Sequence, residues 1–491
     1  MAEEDDKIKK SLRYSILDGS FYSAMVGFGE SFFAAFAVMM KATSVQLGML
    51  DALPKSLGSL SQLFSNRLVK YFKSRKRFVY ISALLEGLMY IPIALIFFLG
   101  TFRIYYLIFF VCIYWTLGLI LNPAWSSWMG DLVSDKERGA YFGKRNKIAG
   151  LTTFFTFLAG GYLLQAFSTS ETMEYIGFAV LFGLALGSRI LSVIMLTKKF
   201  EPEYKLVEEE QFSLWEFIKQ AKRRNYGRFV LYLNVMNFAV YASSPFFTAY
   251  MLYDLKMNYL TFTIVTAASL IVKYLTMPIW GRFSDRFGTR KILSLTGFLM
   301  PLVPILWLFS AKVWYLLIIQ AYSGFVWAGF ELSSFNFTFD TTTPQKRATC
   351  VAYYNALNGI AIFTGAMFGS FIVKYNHVFW SKYMLIFLLS GLIRYCASFI
   401  FVPKLREVRP VEPIAYHSLL FKISTTGAAE GLIREIGTLE KNIMKGTGKL
   451  VDFNKKIVAK NMQTIGQINK SIVAYNEDYA KKHPLDDPDE E

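Results

Sequence analysis

Charged side chains inside long apolar stretches are the residues of this sequence best placed for chemistry within a membrane. Glu30 lies about half-way along the first stretch, and Glu331 lies in the tenth. A charge in the bilayer interior is costly unless it is paired or wet, so such residues commonly mark a pathway for solutes or ions. A carboxyl group in a partly dry site can also bind and release a proton. We therefore expect Glu30 and Glu331 to take part in substrate binding or proton coupling.

Six further charges inside apolar stretches offer a competing interpretation for these two carboxylates. They are Asp51, Lys55, Glu86, Arg189, Lys273 and Arg394. An ion pair between one of the four cations and Glu30 or Glu331 would serve only to fix helix packing. We expect the two arginines to have a structural role and the other four residues to form internal pairs or elements of a gate.

Polar and aromatic side chains in the same stretches could bind a polar substrate. Asn234, Asn237 and Tyr241 follow helical spacing in the seventh stretch, which places them on one face of a helix. Asparagine amides supply hydrogen bonds, and aromatic rings supply contact surface. The further candidates for substrate contact are Asn122, Trp125, Trp128, Asn355 and Asn358.

The composition of the chain is that of a membrane protein. Of its 491 residues, 54% are hydrophobic and 18% are charged, whereas soluble domains carry about 25% charged residues. A helix needs about 20 apolar residues to cross the hydrocarbon core. Twelve stretches, here named spans 1 to 12, meet this length at 19–40, 44–66, 78–99, 104–130, 141–167, 175–197, 229–253, 259–280, 291–310, 313–338, 349–373 and 381–402. The sequence therefore predicts an all-α membrane protein with twelve transmembrane helices.

The spans form two halves that repeat one another. Asp131, Arg138, Asn146, Gly150 and Gly160 recur 209 positions later as Asp340, Arg347, Asn355, Gly359 and Gly369. Other corresponding positions are Glu30 with Ser244, Glu331 with Asn122, and Arg189 with Arg394. Duplication of a membrane unit is a common origin of large transporters. We therefore predict two pseudo-symmetric six-helix halves.

Basic residues are concentrated in alternate connections between the spans. The connections at 67–77 and 136–147 are rich in lysine and arginine, whereas Lys41 and Arg103 stand almost alone in theirs. This asymmetry indicates that both termini are cytoplasmic. It also accounts for the net charge of +17 without a nucleic-acid partner, because no soluble basic face remains. Membrane lipids are the expected surroundings, and the plasma membrane is the expected location.

The composition changes divide the chain into five segments. They are a cytoplasmic N terminus (1–18), a first half (19–200), a cytoplasmic connector with a short amphipathic helix (201–227), a second half (228–402) and a C-terminal tail (403–491). In the tail, apolar residues such as Ile436, Leu439 and Ile443 recur at helical spacing on a charged background. The tail is predicted to be an amphipathic or coiled-coil-like helix. Both a solvated regulatory tail and a self-associating one fit this pattern.

The segment Gly281–Lys291 reads Gly-Arg-Phe-Ser-Asp-Arg-Phe-Gly-Thr-Arg-Lys and resembles the loop motif of the major facilitator superfamily. That family carries Gly-x-x-x-Asp-Arg-x-Gly-x-Arg-Arg/Lys between spans 2 and 3 and often a weaker copy between spans 8 and 9. Here the second copy is the strong one. The first-half counterpart, 66–77, keeps its basic end but has lost the glycine and the aspartate. The resemblance covers about residues 15–402.

The resemblance implies a group of gating residues at the cytoplasmic ends of the spans. They are Gly281, Asp285, Arg286, Gly288 and Arg290 in the loop, with Asp131, Arg138, Asp340 and Arg347 from the acidic-x6-Arg motif of spans 4 and 10. In the family such charges form a latch that holds the outward-facing state and breaks when the halves rock. The alternative is that they only anchor helix ends and enforce topology.

The resemblance also implies a secondary transporter that works by alternating access on a small-molecule substrate. Proton-coupled symport of a polar or anionic solute is the leading expectation, because Glu30 and Glu331 suit proton coupling. Proton antiport that exports amphipathic compounds is the first alternative. A ligand-binding sensor or scaffold that signals through the tail is the second. No nucleotide-binding loop, metal cluster or catalytic set is visible, so we expect neither an enzyme nor a cofactor.

Overall fold

The computed structural model describes residues 2–133, 138–202, 214–221, 224–342, 344–376, 378–408, 411–412, 414, 416 and 418–419. These residues belong to one compact unit, Met1–Leu419. They form helices joined by short connections, and no β-strand occurs among them. The predicted helix of the tail lies outside the described residues.

The helices of the first half follow the predicted spans, several of them with a break. They are Ala2–Phe28, Glu30–Phe32 and Phe33–Met39 in span 1; Ser44–Ser61 in span 2, followed by Gln62–Phe64 and Ser65–Phe72; Arg75–Leu88 and Tyr90–Ala94 in span 3; Ile96–Phe102; Arg103–Ile120 and Asn122–Leu132 in span 4; Arg138–Phe167 in span 5; and Glu171–Thr197 in span 6. The first helix begins at Ala2, so most of the segment predicted as a separate N terminus continues span 1.

The second half repeats this arrangement. Its helices are Asn225–Ala249 and Tyr250–Asp254 in span 7; Tyr259–Phe287 in span 8; Thr289–Leu299 and Leu302–Leu306 in span 9; Val313–Thr341 in span 10; Pro344–Tyr375 in span 11; and Met384–Phe401 and Val402–Lys404 in span 12. The connector between the halves contains the helix Leu214–Ala221.

Ten of the described helical segments are long and apolar enough to cross a membrane, and they correspond to spans 1, 3–6 and 8–12. Spans 2 and 7 are helical as predicted but fall outside this set. Span 2 carries Asp51 and Lys55, and span 7 carries Asn234 and Asn237. Polar residues in such helices face the bundle interior. The prediction of an all-helical membrane fold is confirmed.

A break in span 1 positions Glu30. The helix ends at Phe28, and Glu30 opens a single 3-10 turn before the helix resumes at Phe33. A side chain at Gly29 would collide with the Tyr90 hydroxyl, so only glycine allows span 3 to approach this closely. The break therefore turns Glu30 out of the regular helix at mid-span.

Two of the repeated glycine positions lie where the halves cross. Gly150 of span 5 packs against the Tyr274 ring of span 8, and Gly359 of span 11 packs against the backbone of Ser56 in span 2. Small residues let membrane helices approach closely. The repeat therefore has a packing reason: each half uses the same glycine to contact the other half.

The connections divide the bundle into two ends. The basic end contains the connection around Arg75, the loop Gly281–Lys291 and the segment 402–408; the other end is called the opposite end below. At the opposite end the halves touch, because the Tyr253 hydroxyl donates to the carbonyls of Val38 (2.8 Å) and Ala42 (3.3 Å). The Tyr259 hydroxyl also donates to Glu174 there. The structure is therefore closed at the opposite end.

Candidate functional site

A cavity of about 160 Å³ lies between the two halves, in the middle of the bundle. Spans 1, 2 and 4 line it from the first half, and span 7 lines it from the second. The lining residues are Glu30, Phe33, Ala34, Leu47, Leu50, Asp51, Lys55, Val111, Trp115, Ser244, Pro245 and Thr248. This group is called the central cavity below. Its walls are apolar and aromatic except for three charged side chains and two hydroxyl groups.

Glu30 is the charged group of span 1 in the central cavity. The Tyr114 hydroxyl donates a hydrogen bond to its carboxylate at 3.1 Å. Tyr114 is itself buried and packs edge-on against the ring of Phe33. No lysine or arginine among the described residues lies within ion-pair distance of Glu30. The packing interpretation, in which a nearby cation neutralises Glu30, therefore does not hold for this carboxylate.

Asp51 and Lys55 form an ion pair one helical turn apart on span 2, with 2.5 Å between Nζ and Oδ1. The second half contributes to this pair from span 7. Ser244 donates to the other Asp51 oxygen at 3.0 Å, and the Tyr241 ring lies 4.9 Å from Lys55 Nζ. The Trp115 ring lies 5.7 Å from the same nitrogen. The pair thus bridges the two halves at the wall of the cavity.

Glu331 is held differently from Glu30. It forms an ion pair with Lys273 of span 8, with 2.7 Å between the closest atoms. For Glu331 the packing interpretation therefore has a partner in the structure. Its repeat counterpart, Asn122, is exposed at the start of a helix and does not line the central cavity. Glu30 and its repeat counterpart Ser244, in contrast, both line the central cavity.

The remaining substrate candidates are distributed over two places. Asn237 of span 7 donates to Asn358 of span 11 at 2.6 Å, and Asn355 donates to Gln62 across the halves at 3.1 Å. The buried side-chain oxygen of Asn234 has no hydrogen-bond partner among the described residues. Trp125 is not at the cavity. It lies near the basic end, where the Arg145 guanidinium stacks 4.6 Å from its ring.

The gating aspartates hold the starts of spans 3 and 9. Arg75 of span 3 pairs with Asp131 at 2.6 Å, and the Thr289 hydroxyl of span 9 donates to Asp340 at 2.9 Å. These two contacts occupy equivalent places in the two halves. Each of these two contacts joins residues of the same half. The side chains of Arg138 and Arg347 lie outside the described residues.

Two glutamates complete this arrangement. Glu201, just after span 6, accepts hydrogen bonds from the backbone of Lys76 (3.1 Å) and from the Ser74 hydroxyl (2.6 Å). Glu407, just after span 12, accepts one from the backbone of Arg290 at 2.8 Å. A carboxylate at a helix N-terminus satisfies free N–H groups and opposes the helix dipole. Each half therefore ties its last span to the start of its third span.

The loop residues of the second half lie in different local environments. Gly288 has a positive φ of 100° and forms the turn between spans 8 and 9. Gly281 lies inside the helix of span 8, where an added side chain would make only ordinary contact with Leu332 at 3.5 Å. Asp285 is exposed in the last turn of that helix. Arg286 pairs with Glu412 at 2.7 Å.

The two arginines of the repeat have different partners. Arg189 forms a buried ion pair with Glu86 of span 3 and also bonds Ser192 at 3.2 Å. Arg394 is equally buried but donates to the hydroxyl of Ser243 at 3.0 Å, and it contacts no carboxylate among the described residues. Among the described residues, Arg189 therefore has a counterion and Arg394 has none, and the structural role shared by the two arginines stays a prediction.

Lys199 is a buried cation that the sequence analysis did not single out. It follows span 6, and its Nζ lies 3.8 Å from Asp18 and 4.5 Å from the Trp128 ring. Burial lowers the pKa of Lys199 to about 8, and Asp18 opposes this effect. Within the described residues its ammonium group has no hydrogen-bond acceptor.

Several contacts at the candidate site could not be predicted from the sequence, for a physical reason. Trp115 and Tyr114 lie in span 4, where nearly every residue is apolar, so the sequence gives no sign of which face is inward. Glu201 and Glu407 lie in connections, and their partners are more than a hundred positions away. No group of three or more His, Cys, Asp or Glu side chains in the described part of the chain is arranged to hold a metal ion.

Comparison with known proteins identifies the fold. The family model described as the Major Facilitator Superfamily matches residues 19–252 and 229–436. No curated protein matches the chain in sequence. The fold is similar to that of a mutant form of the nucleoside transporter NupG, with a TM-score of 0.63 and 14% identity over 82% of this chain and 100% of that chain.

Two further solved structures show the same fold. A POT family transporter in complex with 5-aminolevulinic acid matches with a TM-score of 0.61 and 12% identity, over 82% of this chain and 96% of that one. The xylose transporter XylE from E. coli matches with a TM-score of 0.58 and 12% identity, over 83% of this chain and 100% of that one. With the family match spanning most of its length, this chain belongs to the major facilitator superfamily of membrane transporters.

Proposed function

We propose that this protein is a proton-coupled secondary transporter that carries a small polar solute by alternating access. The observation that carries the proposal is the environment of Glu30 in the central cavity. Asp51, Glu86 and Glu331 each form an ion pair with a lysine or an arginine. Glu30 has a neutral hydroxyl partner instead.

A hydroxyl partner suits a carboxyl group that changes its protonation state. The Tyr114 hydroxyl can donate to the ionised carboxylate, or accept from the protonated acid, without moving far. A lysine or arginine partner would be left as an uncompensated buried charge when the acid became protonated. Glu30 is therefore the carboxylate in the cavity that can cycle a proton at low cost.

The solute is expected to occupy the central cavity. Its location between the halves at mid-bundle is where the substrate of an alternating-access transporter is reached from each side in turn. Lys55 is already neutralised by Asp51, so the cavity offers no free cation to an anion. For a neutral polar solute the expected mode of coupling is symport, in which the solute and the proton move in the same direction. For a solute that displaces the proton, the alternative is antiport. The solved relatives named above carry or bind a range of small solutes.

We propose that the structure represents the state of the transporter that is closed to the extracellular side. With the basic end in the cytoplasm, as the charge asymmetry favours, contacts such as Tyr253 with Val38 close the extracellular side. Opening that side requires these contacts to break. The residues at the basic end, including Asp131 and Asp340, then act by holding the starts of spans 3 and 9 as rigid parts of their halves.

A distance measurement can test the proposal before the solute is known. Spin labels at Met173 and Phe309 report on the opposite end, and labels at Tyr71 and Val408 report on the basic end; all four side chains are exposed. The native cysteines are first replaced. Acidification should shift the distances at the two ends in opposite directions, measured by double electron–electron resonance in lipid nanodiscs.

The Glu30→Gln variant should remove this response to pH. Glu171→Gln is the matched control, because Glu171 is an exposed carboxylate at the opposite end. Distances that change at one end alone, or that never change with pH, would contradict proton-coupled alternating access. Binding of a ligand without any change in the distances between the spin labels would instead favour the sensor or scaffold alternative.

A further inference from the structure

The charges that line the central cavity do not balance. Asp51 and Lys55 neutralise each other at 2.5 Å, and the second Asp51 oxygen is occupied by Ser244. Glu30 is the remaining titratable group of the lining. When Glu30 is ionised, the cavity therefore holds one excess negative charge, and a bound solute can supply the missing positive charge.

The aromatic walls favour the same kind of solute. Trp115 and Tyr241 already flank an ammonium group, because Lys55 Nζ lies 5.7 Å and 4.9 Å from their ring centres. Phe33 adds another ring to the lining. The negative face of an aromatic ring attracts cations, and a set of aromatic rings is a recognised arrangement for binding ammonium groups. An anion would meet the Glu30 carboxylate in the cavity, and the ionised carboxylate would repel it.

The size of the cavity favours a small solute. Its volume of about 160 Å³ is close to that of an engineered cavity that holds benzene, about 150 Å³. A solute of this size has room for one charged group and a short apolar part. A second charge of the same sign would find no partner in the lining.

We propose that the central cavity binds a small organic monocation, with its ammonium group at Glu30 and its apolar part against Trp115 and Phe33. This inference rests on the proposed transport function and narrows the substrate class. The cation and the proton then compete for the same carboxylate, so the solute moves in exchange for a proton. The expectation of an anionic solute is replaced by that of a cationic one.

Choline and its neutral carbon isostere, dimethylbutanol, provide a matched test of charge at nearly constant shape. Titration calorimetry is performed on the full-length protein in detergent, at acidic and at alkaline pH. At alkaline pH choline should bind at least about tenfold more tightly than dimethylbutanol. Acidification should weaken choline binding and leave dimethylbutanol unaffected.

Substitutions test whether the preference for choline over dimethylbutanol arises in the central cavity. Glu30→Gln should remove the difference between the two probes, whereas Glu171→Gln should preserve it. Trp115→Leu should weaken choline binding and leave a measurable preference for charge. Equal affinities for the two probes, tighter binding of the anion dimethylbutyrate, or no choline binding at all would each overturn the monocation assignment.

The two proposals fail in different ways. If the distances between the spin labels respond to pH through Glu30 but choline binds no more tightly than dimethylbutanol, the transport proposal is supported and the monocation proposal is wrong. If choline is preferred through Glu30 but the labelled ends never move, the cavity is a cation-binding site in a protein that does not transport by alternating access.

Discussion

Ser244 donates a hydrogen bond to Asp51 across the boundary between the two halves, with 3.0 Å between the oxygens. Ser244 is also the repeat counterpart of Glu30, and both residues line the central cavity. The same position of the ancestral unit is therefore a candidate proton-binding acid in span 1 and a contact between the halves in span 7. Because Asp51 also holds Lys55, motion between the halves at this point changes the environment of a charged pair.

Replacement of Ser244 by alanine should loosen the closed state. A hydrogen bond to a charged group contributes about 1.5–3 kcal/mol, and about 1.4 kcal/mol changes an equilibrium tenfold. We expect the ratio of molecules closed to molecules open at the opposite end to fall by about tenfold or more. The labels at Met173 and Phe309 measure this ratio directly.

Thr364→Ala is the control for this substitution. Thr364 is exposed on span 11, and its hydroxyl bonds a carbonyl of its own helix at 2.8 Å, so its loss should leave the distances unchanged. A Ser244→Ala variant that kept the wild-type distances would show that the contact with Asp51 does not hold the halves together.

The two repeated arginines should respond differently to the same substitution. Arg189→Met leaves Glu86 buried without its cation, and breaking a buried pair in this way costs about 3–5 kcal/mol. Arg394→Met removes a buried charge whose described contact is the Ser243 hydroxyl, so its effect should be small or stabilising. Thermal unfolding of both variants in one detergent compares them. Equal losses of stability would indicate that Arg394 has a counterion outside the described residues.

The helices could be predicted from the sequence because each needs only a local run of apolar residues. Span 2 shows where this signal weakens. Asp51 and Lys55 lower its apolar character, yet their spacing of four residues places them on one face, where the structure shows them paired. Glu30 stood out as a candidate because it is an acid at mid-span. The close approach of Tyr90 from span 3 to Gly29, next to Glu30, could not be predicted, because a local pattern does not record contacts with a distant helix.

Contacts between distant helices could not be predicted in the same way. The sequence offered Lys273 as one of four possible partners for Glu331, and only the packing of spans 8 and 10 selects it. The acidic-x6-Arg motif marked Asp131 as a gating residue, but it did not indicate that its partner is Arg75, which comes from another connection. The repeat located equivalent positions correctly, but equivalence did not indicate whether a residue contacts its own half or the other.

The two glycines of the loop Gly281–Lys291 should differ in their tolerance of alanine. Gly288 has a φ of 100° and a ψ of 141°, a conformation that costs a residue with a side chain about 1–3 kcal/mol. An added methyl group there would also collide with the Glu407 carboxylate, which caps span 9. Gly288→Ala should therefore lower the melting temperature. Gly281→Ala should preserve or raise it, because Gly281 lies inside a helix. Equal melting temperatures of the two variants would show that the turn at Gly288 is not strained.

Lys199 should make stability depend on pH in the alkaline range. Burial lowers its pKa from 10.5 to about 8, so between these values the unfolded chain binds a proton that the folded protein has released. Stability then rises with pH across this window, by at most about 3 kcal/mol for a difference of this size. Below about pH 8 the lysine is charged in both states and contributes no slope.

Chemical unfolding of the full-length protein from neutral to alkaline pH tests this prediction, with Lys199→Met as the variant. The substitution removes the titrating group and leaves Arg145 beside Asp18, at 3.9 Å, so the rise in stability should disappear. Lys198→Met is the control, because the neighbouring Lys198 is exposed and its loss should leave the rise intact. If the stability of Lys199→Met still rises with pH, other groups cause the rise. If the stability of the wild type instead declines with pH, Asp18 keeps Lys199 charged.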